Sequence, residues 1–197
     1  MFKRSHQGFL LSTFYFLLSR KKGFTIIEVL VAVSITIFLS SALILYNSRS
    51  REQTSLYLEQ GKVAQIISRA KSLAISTYAR ENNCGYGVRF DYANSKYYIF
   101  AYGGAPVNCA TVAQDGIDLQ FESEVAGFPP FQLNPVLIFG SGQNRLTDVL
   151  FIPPDPETVI MTEGDAFPVE NGTVYLQTKD GLAGVSVKVG VAGQITL

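Results

Sequence analysis

Histidine and charged residues are scarce in this sequence, and their scarcity excludes several classes of function. The 197 residues include one histidine, His6, and charged residues make up 16% of the chain, against about 25% in ordinary soluble domains. No Cys/His spacing matches a metal site, and the sequence contains no phosphate-binding loop or nucleophile elbow. The sequence therefore predicts a protein that is not an enzyme and that has no catalytic residues, metal or cofactor.

The few charges are distributed unevenly along the chain. Five of the 16 basic residues precede Gly23, and none of the 16 acidic residues do. Removal of residues 1–23 would leave 11 basic residues against 16 acidic ones, a formal charge of −5. Nucleic-acid binders usually carry a basic patch, but no run of Lys or Arg follows Gly23. Nucleic acid is therefore not an expected partner.

Most of the apolar excess lies before Asn47, and in residues 24–46 Glu28 is the single charged residue. At 1.5 Å per residue a helix of this length reaches about 34 Å, enough to cross the roughly 30 Å core of a bilayer. Arg20, Lys21 and Lys22 stand immediately before it. By the positive-inside rule, we expect a single-pass protein of the cytoplasmic (inner) membrane with its N-terminus inside and the rest of the chain outside.

Residues 47–81 continue the helix in amphipathic form. They lack proline and contain one glycine, Gly61, a possible soft point. Apolar side chains recur at nearly helical spacing: Val63, Ile66, Ile67, Ala70, Leu73, Ala74 and Tyr78. We expect this stripe to pack against the globular part, residues 82–197, and the helix to end near Arg80.

Residues 82–197 show the alternation and turn composition of antiparallel strands. A hairpin is predicted from strands at 87–91 and 97–102, and residues 103–135 are interpreted as mostly loop with short strands. Further strands are predicted at 136–139, 149–152, 173–176, 185–189 and 194–197. Helix first and strands after predicts an α+β fold, in which a long N-terminal helix packs against an antiparallel head.

The segment from Arg20 to Val33 (RKKGFTIIEVLVAV) resembles the processing motif of type IV prepilins and type II secretion pseudopilins. The resemblance covers the basic residues, a glycine, the phenylalanine after it, the carboxylate five residues beyond the glycine, and the apolar helix. It implies that a prepilin peptidase cuts after Gly23, that Phe24 becomes an N-methylated N-terminus, and that Glu28 guides assembly.

Glu28 is unusual on physical grounds as well. An ionisable side chain within a membrane helix costs about 2.5–3.5 kcal/mol on insertion scales and marks a functional position by default. The amino group freed at Phe24, on the same or a neighbouring subunit, is a suitable partner that would fix the axial register of helices. The alternative is a hydrated or protonated carboxylate at the interface with no role in assembly.

An ordinary secretory signal is the rival interpretation of residues 1–46. The apolar run exceeds the usual h-region of about 7–15 residues, and no convincing small-residue cleavage site follows it. A plain signal anchor explains neither the Gly23–Phe24 pair nor Glu28. The segment before Gly23 is longer and more apolar than expected of a prepilin leader, which places the start codon in question.

Two features of the head admit alternatives. Cys84 and Cys109 would form one disulfide in an exported domain, or else be two buried thiols. The carboxylates of Asp155, Glu157, Glu163 and Asp165 favour a solvated acidic loop over a Ca²⁺ site, because their spacing matches no calcium loop.

The head also resembles H-type minor pseudopilins, through segments 86–91, 97–100, 149–154 and 190–195. The resemblance implies a minor structural subunit of a type IV pilus or type II secretion pseudopilus, in a filament in the periplasm or at the cell surface. Expected partners are other pilin or pseudopilin subunits, the prepilin peptidase, the inner-membrane assembly platform and membrane lipid. The alternative is an anchored, exported binding module that never polymerises.

Overall fold

A computed structural model describes residues 25–76, 83–103, 109, 111–153 and 157–197. The predicted leader, Phe24, Tyr78 and Arg80 lie outside these residues. The chain divides into two units, Met1–Asn47 and Ser48–Leu197. Helix α1, Ile26–Ser76, runs through the end of the first unit and the start of the second.

The part of α1 that belongs to the second unit packs its apolar stripe into the core, as the sequence predicts. Val63, Ile67 and Ala70 are fully buried, and Ala74 is nearly so. Each buried Val, Leu or Ile contributes about 1.5–3 kcal/mol relative to an exposed one. The helix continues without a break through Gly61, the possible soft point.

The described residues after α1 include ten strands in two antiparallel sheets. Sheet A has the order β3-β2-β1-β6-β7 with β4 paired to β2, and sheet B has the order β10-β9-β8-β5. The strands are β1 Asn83–Asp91, β2 Lys96–Gly103, β3 Glu122–Glu124, β4 Phe131–Gln132, β5 Leu137–Phe139, β6 Leu146–Ile152, β7 Glu157–Thr162, β8 Asn171–Thr178, β9 Gly184–Gly190 and β10 Ile195–Thr196. The β1–β2 and β8–β9 hairpins and the α+β fold class are confirmed.

The acidic-loop interpretation is wrong for part of the segment after Pro153. Residues 157–162 form strand β7, in which Thr158, Val159 and Ile160 are all buried. Sheet A is covered on both faces here, so consecutive residues are buried and the alternation that identifies a strand is lost. Asp155 lies outside the described residues.

Sheet A separates two hydrophobic cores. The main core lies between α1 and the two sheets and includes Val88, Tyr97 and Val149. The outer core, on the opposite face, includes Phe100, Tyr102 and Leu150. It is closed by helix α2, Val112–Asp115, and a 3₁₀ turn, Leu119–Phe121, which contribute Val112 and Phe121.

Candidate functional site

Helix α1 begins with a pattern that caps its own first turn. The amide of Glu28 donates to the carbonyl oxygen of Thr25 at 3.0 Å and to its Oγ1 at 3.3 Å. A Thr at the N-cap followed three residues later by Glu is the sequence of a capping box. A carboxylate in the first turn also interacts favourably with the helix dipole. Glu28 is therefore placed where its charge suits the helix that carries it.

The side chains of the apolar segment Ile26–Ile44 have no cover. None of this 19-residue segment is buried, and Ile26 and Phe38 are 87% and 75% exposed. A helix of this length reaches about 28 Å, close to the thickness of a bilayer core. By length and composition it can cross a membrane.

The hydroxyl groups of this segment are satisfied within the helix itself. Ser34 donates to the carbonyl oxygen of Leu30 at 2.8 Å, and Ser40 donates to that of Thr36 at 2.7 Å. Thr36 and Ser41 bond in the same way to carbonyl groups one turn earlier. Such bonds let hydroxyls sit in hydrocarbon without an unmet donor. Glu28 is left as the single charged side chain between Ile26 and Ile44.

Residues 18–44 match the family model of the prokaryotic N-terminal methylation motif. The chain carries a prepilin-type methylation motif. The match includes Gly23, Phe24 and Glu28, and it is consistent with a type IV pilin or pseudopilin, anchored in a membrane and exported. The roles of these three residues remain predictions, and Gly23 and Phe24 lie outside the described residues.

No curated protein and no solved structure matches the chain. The methylation motif ends at residue 44, before the head begins. The resemblance of the head to H-type minor pseudopilins therefore remains a prediction.

The predicted disulfide is confirmed. Cys84 in β1 and Cys109 are bonded, with their Cα atoms 5.2 Å apart. Cys84 lies in the outer core, so the bond ties the segment that leads to α2 onto sheet A.

Two of the four acidic residues that were weighed as a solvated loop or a calcium site, Glu163 and Asp165, have other partners in the fold. Glu163 forms an ion pair with Arg145 at 2.9 Å, and Asp165 accepts a hydrogen bond from Thr162. Within the described ranges, no group of three or more His, Cys, Asp or Glu side chains is arranged to hold a metal.

A part-buried charge network on the outer face of sheet A was missed by sequence reasoning. The guanidinium of Arg89 donates Nε–H to Oδ1 of Asp148 at 2.5 Å and meets Glu122 through both terminal nitrogens, at 2.6 and 2.7 Å. The register pairs Arg89 with Asp148 across β1 and β6. Burial raises the pKa of Glu122 to about 7, and Arg89 opposes the rise. In this network the carboxylates of Glu122 and Asp148 share the single guanidinium of Arg89.

Proposed function

We propose that this chain is a structural subunit, of the minor type, of a type IV pilus or type II secretion pseudopilus. In this proposal a prepilin peptidase cuts between Gly23 and Phe24, Phe24 is N-methylated, and the subunit enters a filament through α1. The observation that carries the proposal is the methylation motif at residues 18–44 on a helix whose apolar surface is uncovered. Proteins with this motif are structural subunits rather than enzymes.

The uncovered surface of Ile26–Ile44 limits where the subunit can go when it leaves the membrane. Outside lipid, so much exposed apolar area has to be buried against other helices. The other pilin subunits and the assembly platform are the expected partners during this transfer. Residues 1–23 would be removed as the leader, residues 24–46 would form the membrane part of the mature subunit, residues 47–81 the exported helix, and residues 82–197 the head on the filament surface.

Glu28 gives the assembly its register. The positive end of the helix dipole already favours a carboxylate in the first turn, and the ammonium group freed at Phe24 of an adjoining subunit can neutralise it. An ion pair in a medium of low dielectric constant is strong when its partners are well placed and costly when one is missing. Helices that slip along their axes would lose this pair.

The first test is the intact mass and N-terminal sequence of the chain, extracted from membranes of cells that contain a prepilin peptidase. We expect a mature chain that begins at methylated Phe24. A chain that still begins at Met1 in the presence of an active peptidase would contradict the proposal.

The second test replaces Glu28. We expect Glu28→Ala and Glu28→Gln to reduce incorporation into sheared filaments about tenfold or more, while the membrane level of the subunit stays unchanged. Ser41→Ala is the matched control, because Ser41 lies in the same apolar segment and bonds only its own helix. Incorporation of Glu28→Ala at the level of Ser41→Ala would show that Glu28 has no role in assembly. Absence of the unchanged chain from sheared filaments would favour the alternative, an anchored exported module that does not polymerise.

A further inference from the structure

An open groove of about 340 Å³ lies on the outer face of sheet A. It is lined by the aromatic rings of Tyr98 and Phe100 from β2 and by Leu119 from the 3₁₀ turn. Leu119 is 63% exposed although it is a large apolar residue. The volume falls at the lower end of the range of about 300–1,000 Å³ that is typical of ligand sites.

The charged side chains of the groove are predominantly acidic. Asp91, Glu122 and Glu124 line it together with one cation, Lys96. Asp91 is committed to the β1–β2 turn, where it accepts hydrogen bonds from the backbone and side chain of Asn94. Glu124 pairs with Phe100 in the β2–β3 register, and no hydrogen bond or ion pair holds its carboxylate within the described part of the chain.

Both arginines of the head, Arg89 and Arg145, lie against an aromatic ring and pair with a carboxylate. The Cζ atom of Arg145 lies 3.6 Å from the ring centroid of Tyr92, and its Nη1 pairs with Glu163. The Cζ atom of Arg89 lies 5.8 Å from the ring centroid of Phe100, between Asp148 and Glu122. An aromatic face beside a carboxylate is a favourable site for a guanidinium, through cation–π attraction and charge-assisted hydrogen bonds. Exposed Glu124 and half-buried Tyr98 line the same groove.

We propose that this groove binds the arginine side chain of a basic segment in a partner protein, with Glu124 as the carboxylate that pairs with it. Charge complementarity favours a basic partner over a second copy of this chain, whose residues after Gly23 carry a formal charge of −5. A metal ion is disfavoured by the absence of a suitable acidic group among the described residues. The inference does not depend on filament assembly.

The test uses the full chain in detergent micelles and a fluorescein-labelled octapeptide of glycine and serine with two arginines, followed by fluorescence anisotropy. A twin peptide with citrulline in place of arginine keeps the shape and removes the charge. We expect the citrulline peptide and the Glu124→Gln variant each to weaken binding about tenfold. That ratio corresponds to the loss of one hydrogen bond to a charged group.

Glu157→Gln is the matched control, because Glu157 is an exposed carboxylate of β7, at the far edge of the same sheet. It should bind the arginine peptide as the unchanged chain does. Equal binding of the citrulline peptide, or equal binding by Glu124→Gln and Glu157→Gln, would overturn the proposal. A lysine twin peptide that binds as tightly would refute the assignment to arginine. If the arginine peptide does not bind, and the chain self-associates in a way that Glu124→Gln abolishes, the groove receives a second copy and the proposal is wrong.

The pH dependence of binding adds an independent readout. The groups that face Glu122 are Arg89 from β1, Tyr98 from β2 and Asp148 from β6. Since the pKa of Glu122 is about 7, a bound guanidinium should favour its ionised form. We expect tighter binding at pH 8 than at pH 6, and a smaller difference in Glu122→Gln. An equal difference in Glu122→Gln would count against the placement of the ligand beside this carboxylate.

Discussion

The hydroxyl of Tyr97 in β2 donates a hydrogen bond to Oε1 of Glu59 in α1, at 2.9 Å, and both residues are about 1% exposed. The other carboxylate oxygen, Oε2, accepts from Lys62 at 3.0 Å. A carboxylate of the helix is thus buried against the sheet with both oxygens bonded. The pair fixes α1 on sheet A at one register, because a shift along the helix would leave a buried charge without its partner.

Replacement of Tyr97 by Phe tests the contribution of this bond. We expect the free energy of unfolding to fall by about 1–3 kcal/mol, because a buried carboxylate oxygen loses its donor. Urea unfolding of the full chain in micelles, followed by the circular dichroism of the aromatic residues, measures the change. Tyr57→Phe is the control, since Tyr57 lies on the same helix and is 65% exposed. Equal stability of the two variants would contradict the assigned role.

The part-buried network at Glu122 predicts how stability depends on pH. The pKa of Glu122 is about 7 in the folded chain, against an ordinary value of about 4.3. Between these two pH values Glu122 is protonated in the folded chain and ionised in the unfolded chain. The free energy of unfolding therefore decreases as pH rises from about 4.3 to 7. The stabilisation that protonated Glu122 gives is complete below about pH 4.3 and is lost as pH rises through 7.

Urea midpoints collected between pH 4.5 and 8 would measure this slope. Glu122→Gln should flatten it, because glutamine does not titrate, whatever its effect on the stability at any one pH. Glu124→Gln should keep the slope, since Glu124 lies on the same strand but is exposed. An unchanged slope in Glu122→Gln would show that other groups set the pH dependence.

Two glycines should respond in opposite directions to a methyl group. A Cβ at Gly87 would lie 2.5 Å from both Cζ of Phe100 and the carbonyl oxygen of Val149, so Gly87→Ala should destabilise the head by about 1–3 kcal/mol. A Cβ at Gly61 would meet no atom within 4 Å, and Gly61→Ala should stabilise α1 by about 1 kcal/mol. Thermal unfolding of both variants measures the difference. A stabilising Gly87→Ala would contradict the packing of Phe100 over this strand.

Local patterns in the sequence predicted the elements that depend on neighbouring residues. The apolar run around Glu28 predicted the membrane segment, and the helical spacing of Val63, Ile67 and Ala70 predicted the buried face of α1. The β1–β2 hairpin followed from alternating side chains on either side of Asn94 and Ser95. In each case the residues that decide the structure are within a few positions of one another.

Features that depend on distant pairing were not predictable in the same way. Arg89 and Asp148 are 59 residues apart in the chain, and only the β1–β6 register makes them partners. The division of the strands into two sheets likewise depends on pairings such as β5 with β8. The capping pattern of Thr25 and Glu28 is local and present in the sequence, although the sequence interpretation assigned Glu28 only an assembly role.

The internally bonded hydroxyls of Ser34, Thr36, Ser40 and Ser41 have a consequence for transfer between environments. Because these groups already have acceptors on their own helix, the segment breaks no hydrogen bond when acyl chains around it are replaced by the side of another helix. Apart from Glu28, such an exchange changes the free energy little, because acyl chains and apolar side chains are similar surroundings, and it can run in either direction. In the proposed assembly, the preference of the segment for one of these surroundings would then depend on a single carboxylate, that of Glu28.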